Sequence, residues 1–287
     1  MVPDNIVLQA RDVRFDWSDV PLHWIPGEPA ATHFINVLHM LLPAGETWFL
    51  QIFREALPYV KDDRLREDVV GFIGQEAMHA DSHDGYLDHL KAQGLDVTPY
   101  TRQVEYIFFQ MLGDRGLTGE RREEWLFERV AIIAAIEHFT GVLGDWILNA
   151  EKLDAAGAHP MMLDLLRWHG AEEVEHRHVA HDLFMHLDGR YSQRVRAMSQ
   201  TVVMLLTLWH RGHRFLLARD PRVRGRIRGG LRHAPSLGRR GLAPAANELL
   251  PTIRRYMYKS YSPLNEGSTE QALAYLASSP AAQAALR

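Results

Sequence analysis

The chain contains no cysteine, which excludes disulfides, thiolate-held zinc and iron–sulfur clusters together. Any metal must therefore be held by Glu, Asp and His. An excess of basic charge is also missing: 32 Lys and Arg face 36 Asp and Glu, a net charge of -4 with histidines neutral. No overall positive field draws the chain to nucleic acid, and no nucleic-acid partner is expected. Long apolar runs are scarce. The most lipid-like, residues 202–209, falls far short of the roughly 20 residues needed to span a bilayer. Residues 1–17 carry no apolar stretch of signal-peptide length, so nothing suggests export, and a cytoplasmic location is the expectation.

What is present is a chain of 287 residues, 46% of them hydrophobic, enough for a large core. Its apolar residues recur at helical rather than strand spacing, so the class is all-α. One segment organises the rest: Trp168-His-Gly-Ala-Glu-Glu-Val-Glu-His-Arg-His-Val-Ala-His181 packs carboxylates and imidazoles into what otherwise reads as a buried helix. Met162, Leu166, His169, Glu173, His176, Ala180, Leu183 and Leu187 form one inward stripe, polar only at its middle. Residues three apart share a helix face, so Glu173 and His176 can grip one ion from the same side. Glu175 and His178 have the same spacing on a poorer stripe and are expected not to bind. Glu172 lies on a plausible face too, and stands as a substitute ligand or a group that orients one.

The other helices repeat the theme. Residues 1–30 hold four prolines and read as an extended lead-in without visible chemistry. A helix capped by Thr32 carries Glu46 between Leu42 and Phe49, and Pro43 should kink or restart it. The next helix, from about residue 63, has the stripe Leu65, Val69, Phe72, Glu76, His79, His83, Tyr86, Leu90. A third, about 120–151, carries Glu137 between Ile133 and Thr140; the fourth runs from Pro160 to about Leu187, and a fifth from 193 to about 218. Glu46, Glu76, His79, Glu137, Glu173 and His176 thus sit at mid-stripe on four helices with no Lys or Arg on those stripes. Buried carboxylates without partners are costly, and divalent cations relieve that cost. Two helices giving one Glu each and two giving Glu-x-x-His is the pattern of ferritin-like dinuclear four-helix bundles. The expected architecture is that bundle over 31–220 with additional helices, followed by a basic, glycine-containing extension over 221–287. Residues 211–240 hold ten arginines and one acid, Asp220; an anionic membrane surface is one partner such a segment would suit.

From about Arg14 to His213 the chain also resembles the proteins catalogued as predicted metal-dependent hydrolases, a branch of the ferritin-like superfamily. The resemblance lies in Pro43-Ala-Gly-Glu46, Gln75-Glu-Ala-Met-His79 with His83 following, Ile136-Glu-His138, and His169-Gly-Ala-Glu-Glu-Val-Glu-His176. It implies the same six metal ligands. Around them, His83 and His169 are candidates to orient carboxylates or cap the pocket, Thr140 to donate to a metal-bound oxygen species or to its own backbone, and Glu172 to orient or replace a ligand; Tyr86 reads as packing. Three functions are open. The leading expectation is an oxidoreductase in which two irons, or iron and manganese, use O2 to oxidise a small apolar substrate. The alternatives are a hydrolase, with zinc or similar ions and a bridging water, and a non-enzymatic iron-binding protein. Spare apolar surface on the fifth helix makes a homodimer plausible.

Overall fold

A computed structural model describes residues 7–285. Among them there is no strand, as the helical spacing of the apolar residues requires. The long elements are α1 (Pro29–Ala56) and α2 (Asp63–Ala92), then after α3 (Thr98–Glu105) and a π-helical turn, α4 (Glu120–Leu148). After α5 (Glu151–Ala155) come α6 (Pro160–His176), α7 (Val179–Leu187) and α8 (Tyr191–Arg219). The shorter α9 (Ala234–Arg240), α10 (Ala246–Tyr256), α11 (Thr269–Ser278) and α12 (Pro280–Ala285) complete the chain.

α1 and α2 pack on each other across the short connection 57–62, and α4 packs on α6 in the same way. α2 also contacts α6 and α7, α1 contacts α4, and α8 lies across α1 and α4. The side chain of Asp62 caps α2 by accepting from the Leu65 amide at 2.8 Å, one of the orphan donors of a helix start. α11 and α12 pack on α6. With α2, α4 and the C-terminal helices around it, α6 is buried on nearly every side.

Two expectations about continuity fail. α1 begins at Pro29 and passes through Pro43 as one helix with buried apolar residues on both sides of the proline, and the helix packs against α2 and α8. The lost Pro43 hydrogen bond is a local cost that this packing outweighs. Conversely, the helix begun at Pro160 is not continuous to Leu187 but breaks at Arg177 and His178. Nor is segment 202–209 the most membrane-like element: α4 is long and apolar enough to cross a membrane, and 72% of its most apolar window is buried within the protein.

Glycines set the closest helix approach. A Cβ on Gly144 would stand 2.3 Å from the Gly170 carbonyl oxygen, and one on Gly170 2.6 Å from Ile147 Cγ2. α4 and α6 therefore cross with their backbones in contact, one turn before Glu173 and two turns after Glu137. Gly144→Ala is expected to lower stability by about 1–3 kcal/mol through overpacking, measured by urea unfolding. On an exposed helix the same change would stabilise, by up to about 1 kcal/mol, so the sign of the shift tests the close approach.

Asp220 ties the lead-in to α1 and the end of α8. Its Oδ2 accepts from Nε2 of His23 at 2.6 Å and of His33 at 2.8 Å. Its Oδ1 accepts from the amides of Arg222 and Val223. Burial pushes the Asp220 carboxyl up, but these donors outweigh it and hold the group below the ordinary carboxylate range. A depressed acid contributes stability above its unfolded value that is lost as pH falls. The stability advantage of wild type over Asp220→Asn should therefore be full at neutral pH and shrink below about pH 4, measured by denaturant midpoints from pH 7 to pH 3.

Candidate metal centre

The four helices bring the six sequence-predicted residues together. Glu46 comes from α1, Glu76 and His79 from α2, Glu137 from α4, and Glu173 and His176 from α6; none is more than 3% exposed. They form two clusters that share one residue. Glu46, His79, His169 and Glu173 make one set and Glu76, Glu137, Glu173 and His176 the other, with the donor atoms of each set within 4.8 Å of one another. Glu173 turns Oε1 toward His79 Nδ1 at 3.4 Å and Oε2 toward His176 Nε2 at 3.4 Å. Glu76 Oε1 stands 3.5 Å from His79 Nδ1 and 3.2 Å from His176 Nε2. Donors bound at about 2.1 Å to one ion lie about 3.0–3.4 Å apart when their bonds make angles of 90–110°. The nitrogen–oxygen distances cluster around that spacing.

The unsatisfied atoms test whether a metal fits. Both oxygens of Glu46, both of Glu76, Glu137 Oε2, Glu173 Oε2, His79 Nδ1 and His176 Nε2 are buried without a hydrogen-bond partner. Buried polar atoms are rarely left so, yet here every one of the six residues contributes at least one. The electrostatics agree. Burial, then Glu76, push Glu46 well above the usual carboxylate range, and burial with Glu173 and Glu76 pushes Glu137 up to about 8. Burial pushes His79 and His176 down, but the carboxylates around them outweigh it and drive both well above the ordinary imidazole value. The cluster is an excess of negative charge in a dry place. Divalent cations bound by oxygen and nitrogen donors would satisfy both the orphaned atoms and the charge.

The imidazoles are oriented from behind. His79 Nε2 bonds Glu172 Oε2 at 2.9 Å, which leaves Nδ1 facing the cluster. His176 Nδ1 donates to Gln75 Oε1 at 3.1 Å, and Gln75 Nε2 donates to Glu175 Oε2 at 2.7 Å. Arg11 closes both lines, donating to Glu172 Oε1 at 2.5 Å and, through both terminal nitrogens, to Glu175 at 3.0 and 3.1 Å. Such fork contacts fix geometry as well as charge. Glu172 thus stands behind a ligand instead of replacing Glu173. Glu175, expected not to bind a metal, lies in neither donor set; it is 2% exposed and anchors this network, whereas His178, on the same stripe, is only half-buried.

The lead-in was expected to carry no chemistry, yet it supplies Arg11. It can do so because α2 is notched by glycine. A Cβ on Gly71 would meet the Leu8 carbonyl oxygen at 2.6 Å, and one on Gly74 would meet Ala10 Cβ at 3.2 Å. Two glycines inside a helix cost about 1 kcal/mol each relative to alanine, and that was the signal that another backbone approaches there.

His169, expected to orient carboxylates or cap the pocket, has its Nε2 2.7 Å from Glu173 Oε1 and 3.6 Å from Glu46 Oε1, and this also groups it with the candidate donors. His169 Nδ1 meets His83 Nε2 at 2.6 Å, and His83 Nδ1 meets His39 Nδ1 at 2.7 Å, so His83 sits one residue back from the cluster. The Thr140 hydroxyl donates to the Glu137 backbone carbonyl at 3.1 Å and lies 3.3 Å from Glu137 Oε1. Tyr86 packs on His39 and Trp17.

Arg11→Ala removes no candidate ligand but leaves Glu172 and Glu175 buried without their cation. It is expected to weaken metal affinity by about 10–100-fold, measured by chelator competition. Arg11→Lys should recover only part of the loss, because a point charge does not reproduce the two-carboxylate fork. Unchanged affinity in Arg11→Ala would mean that the imidazoles hold their orientation without it.

A family model described as "Predicted metal-dependent hydrolase" matches residues 9–267, a span that includes Arg11 and every residue of both clusters. No curated protein and no solved structure matches the chain. With a match over nearly its whole length and a buried set of donors suited to divalent ions, the chain belongs to the predicted metal-dependent hydrolase family.

Proposed function

We propose that the chain is a hydrolase working at a dinuclear divalent-metal centre. The observation that carries this reading is the pair of buried donor sets joined through Glu173, taken with the family's description. Glu46, Glu76, His79, Glu137, Glu173 and His176 would be the ligands, in a ferritin-like arrangement, with His169 as a further donor on the Glu46 side. Two such ions supply Lewis-acid polarisation of a carbonyl or phosphoryl group and lower the pKa of water toward neutrality.

The protein's own part is preorganisation. Glu172 and Gln75 fix the tautomers and ring planes of His79 and His176, and Arg11 holds Glu172 and Glu175 in place. Thr140 steadies Glu137. Phe72 packs edge-on against His176 at 4.7 Å between centroids, and Trp168 against His79 at 5.1 Å. These apolar walls exclude water from the cluster and strengthen every charge interaction within it.

A second reading, O2-dependent oxidation by two irons or iron with manganese, draws on the same carboxylate-rich, thiolate-free donors and the same apolar enclosure. Metal analysis and anaerobic assay separate the two. Hydrolysis predicts turnover of an ester, amide or phosphoester without O2 and with a redox-inert ion such as zinc. Turnover that requires iron and consumes O2 overturns it. For the ligands, Glu137→Ala and His176→Ala are each expected to lower metal content by more than about tenfold, measured by elemental mass spectrometry of the purified variants.

A further inference from the structure

A cavity of about 350 Å³ lies between α1, α4, α6, α8 and α10. Its inner end is the metal centre, where His169 and Glu173 form part of the wall beside Gly144 and Gly170. A smaller cavity of about 50 Å³ adjoins it, shares Leu38, Leu42, Thr140 and Leu143 with it, and reaches Glu46. The volume is at the lower end of the range that holds small organic ligands.

Among the described residues the walls of both cavities carry no Lys, Arg or Asp, and their only ionisable groups are His169, Glu173 and Glu46. Two of the few polar side chains are already engaged. The Thr140 hydroxyl bonds Glu137, and the Trp209 indole N–H donates to the Phe34 carbonyl at 2.9 Å. An anionic group placed along this cavity away from its inner end would be desolvated with nothing to compensate it. An alkyl chain would gain apolar burial at about 25 cal/mol per Å². Toward the outside the wall includes Leu206 and Leu250, which are 52% and 63% exposed, so apolar surface continues from the cavity onto the exterior.

We propose that this cavity receives the hydrocarbon chain of a neutral substrate, an alkyl or acyl ester or amide, with its carbonyl at the inner end beside His169, Glu173 and Glu46. The choice of ester or amide rests on the hydrolytic reading above; the chain-binding site does not. In that reaction water oxygen bonds to the carbonyl carbon, the carbon–oxygen or carbon–nitrogen bond breaks, and the leaving group takes up a proton.

The test is calorimetric titration of the full-length, metal-loaded protein with 1-decanol and with decyl sulfate. Decanol is expected to bind at least about tenfold more tightly, a difference of 1.4 kcal/mol. Leu143→Trp and Leu38→Trp, which fill the cavity from opposite walls, should each weaken decanol binding by a similar factor while metal content and helical circular dichroism stay as in the wild type. Equal or tighter binding of decyl sulfate, or decanol binding unmoved in both folded variants, overturns the proposal. Decyl esters that bind in this way but are not cleaved sink the hydrolytic reading and leave the cavity assignment standing. Short esters cleaved as well as decyl esters, and equally by the tryptophan variants, do the reverse.

Discussion

The structure is organised around carboxylates kept away from water. Glu46, Glu76, Glu137 and Glu173 converge where, among the described residues, no Lys or Arg is seen to bond to them, and isolated buried carboxylates would cost several kcal/mol each. Much of the fold answers this constraint. The four helices must present their acids at one level, the surrounding residues must hold the imidazoles without competing for their free nitrogens, and the walls must stay dry. Cations bound there contribute folding free energy as well as chemistry.

Charge is arranged in two layers with different partners. The inner layer is the four carboxylates and the nitrogens of His79, His169 and His176, grouped as candidate metal donors. The outer layer is Glu172 and Glu175, which take Arg11, Gln75 and His79 instead. One guanidinium serves both outer acids because α6 presents them three residues apart on the side where the lead-in lies against α2. The glycine notches at Gly71 and Gly74, and the Gly144 and Gly170 crossing, are the backbone conditions for each layer. Without the notches Leu8 would be displaced from α2, and without the crossing Glu173 would retreat from Glu137.

The inner layer was largely legible in the sequence and the outer layer was not, for a physical reason. Glu46 and Glu76 stand on helices that keep exposed positions nearby, so helical period gives their direction, whereas Glu137 is found as the one acid in the apolar run of α4, which is buried all round from Arg129 to His138. On α6 that argument loses its footing, because Glu172, Glu173, Glu175 and His176 are all buried and there is no solvent face to fix the phase. The apolar stripe favoured Glu173 over Glu172 and set Glu175 aside as a ligand, but gave no sign that Glu175 is buried behind the donors. Arg11 left no periodic trace at all. It comes from an extended segment, and its partners lie 161 and 164 residues away. The family resemblance covered the helices and said nothing of this contact, while Pro43 misled because propensity is local and the packing of α1 on α2 and α8 is not.

The chain of histidines behind His169 extends the same logic of assigned nitrogens. Burial pushes His39 down to about 3 and holds His83 and His169 below the ordinary imidazole range, so the three are neutral and each carries one ring hydrogen. Their contacts then allow only two directions. If His169 Nε2 donates to Glu173, its Nδ1 accepts from His83 Nε2, His83 Nδ1 accepts from His39 Nδ1, and His39 Nε2 is a bare lone pair. If His169 offers Nε2 to a cation, its Nδ1 must donate to His83 Nε2, and His83 must donate in turn to His39 Nδ1. His39 Nε2 then carries the last hydrogen in a spot where it has no partner. Ligation by His169 therefore fixes the tautomers of three buried rings at once. It also places one unsatisfied N–H two residues away from the cluster, beside Tyr86. The stabilisation gained at Glu46 and Glu173 has to exceed that cost, which is why the fit of His169 to the centre is set along the whole α1, α2 and α6 contact and not at the ligand alone.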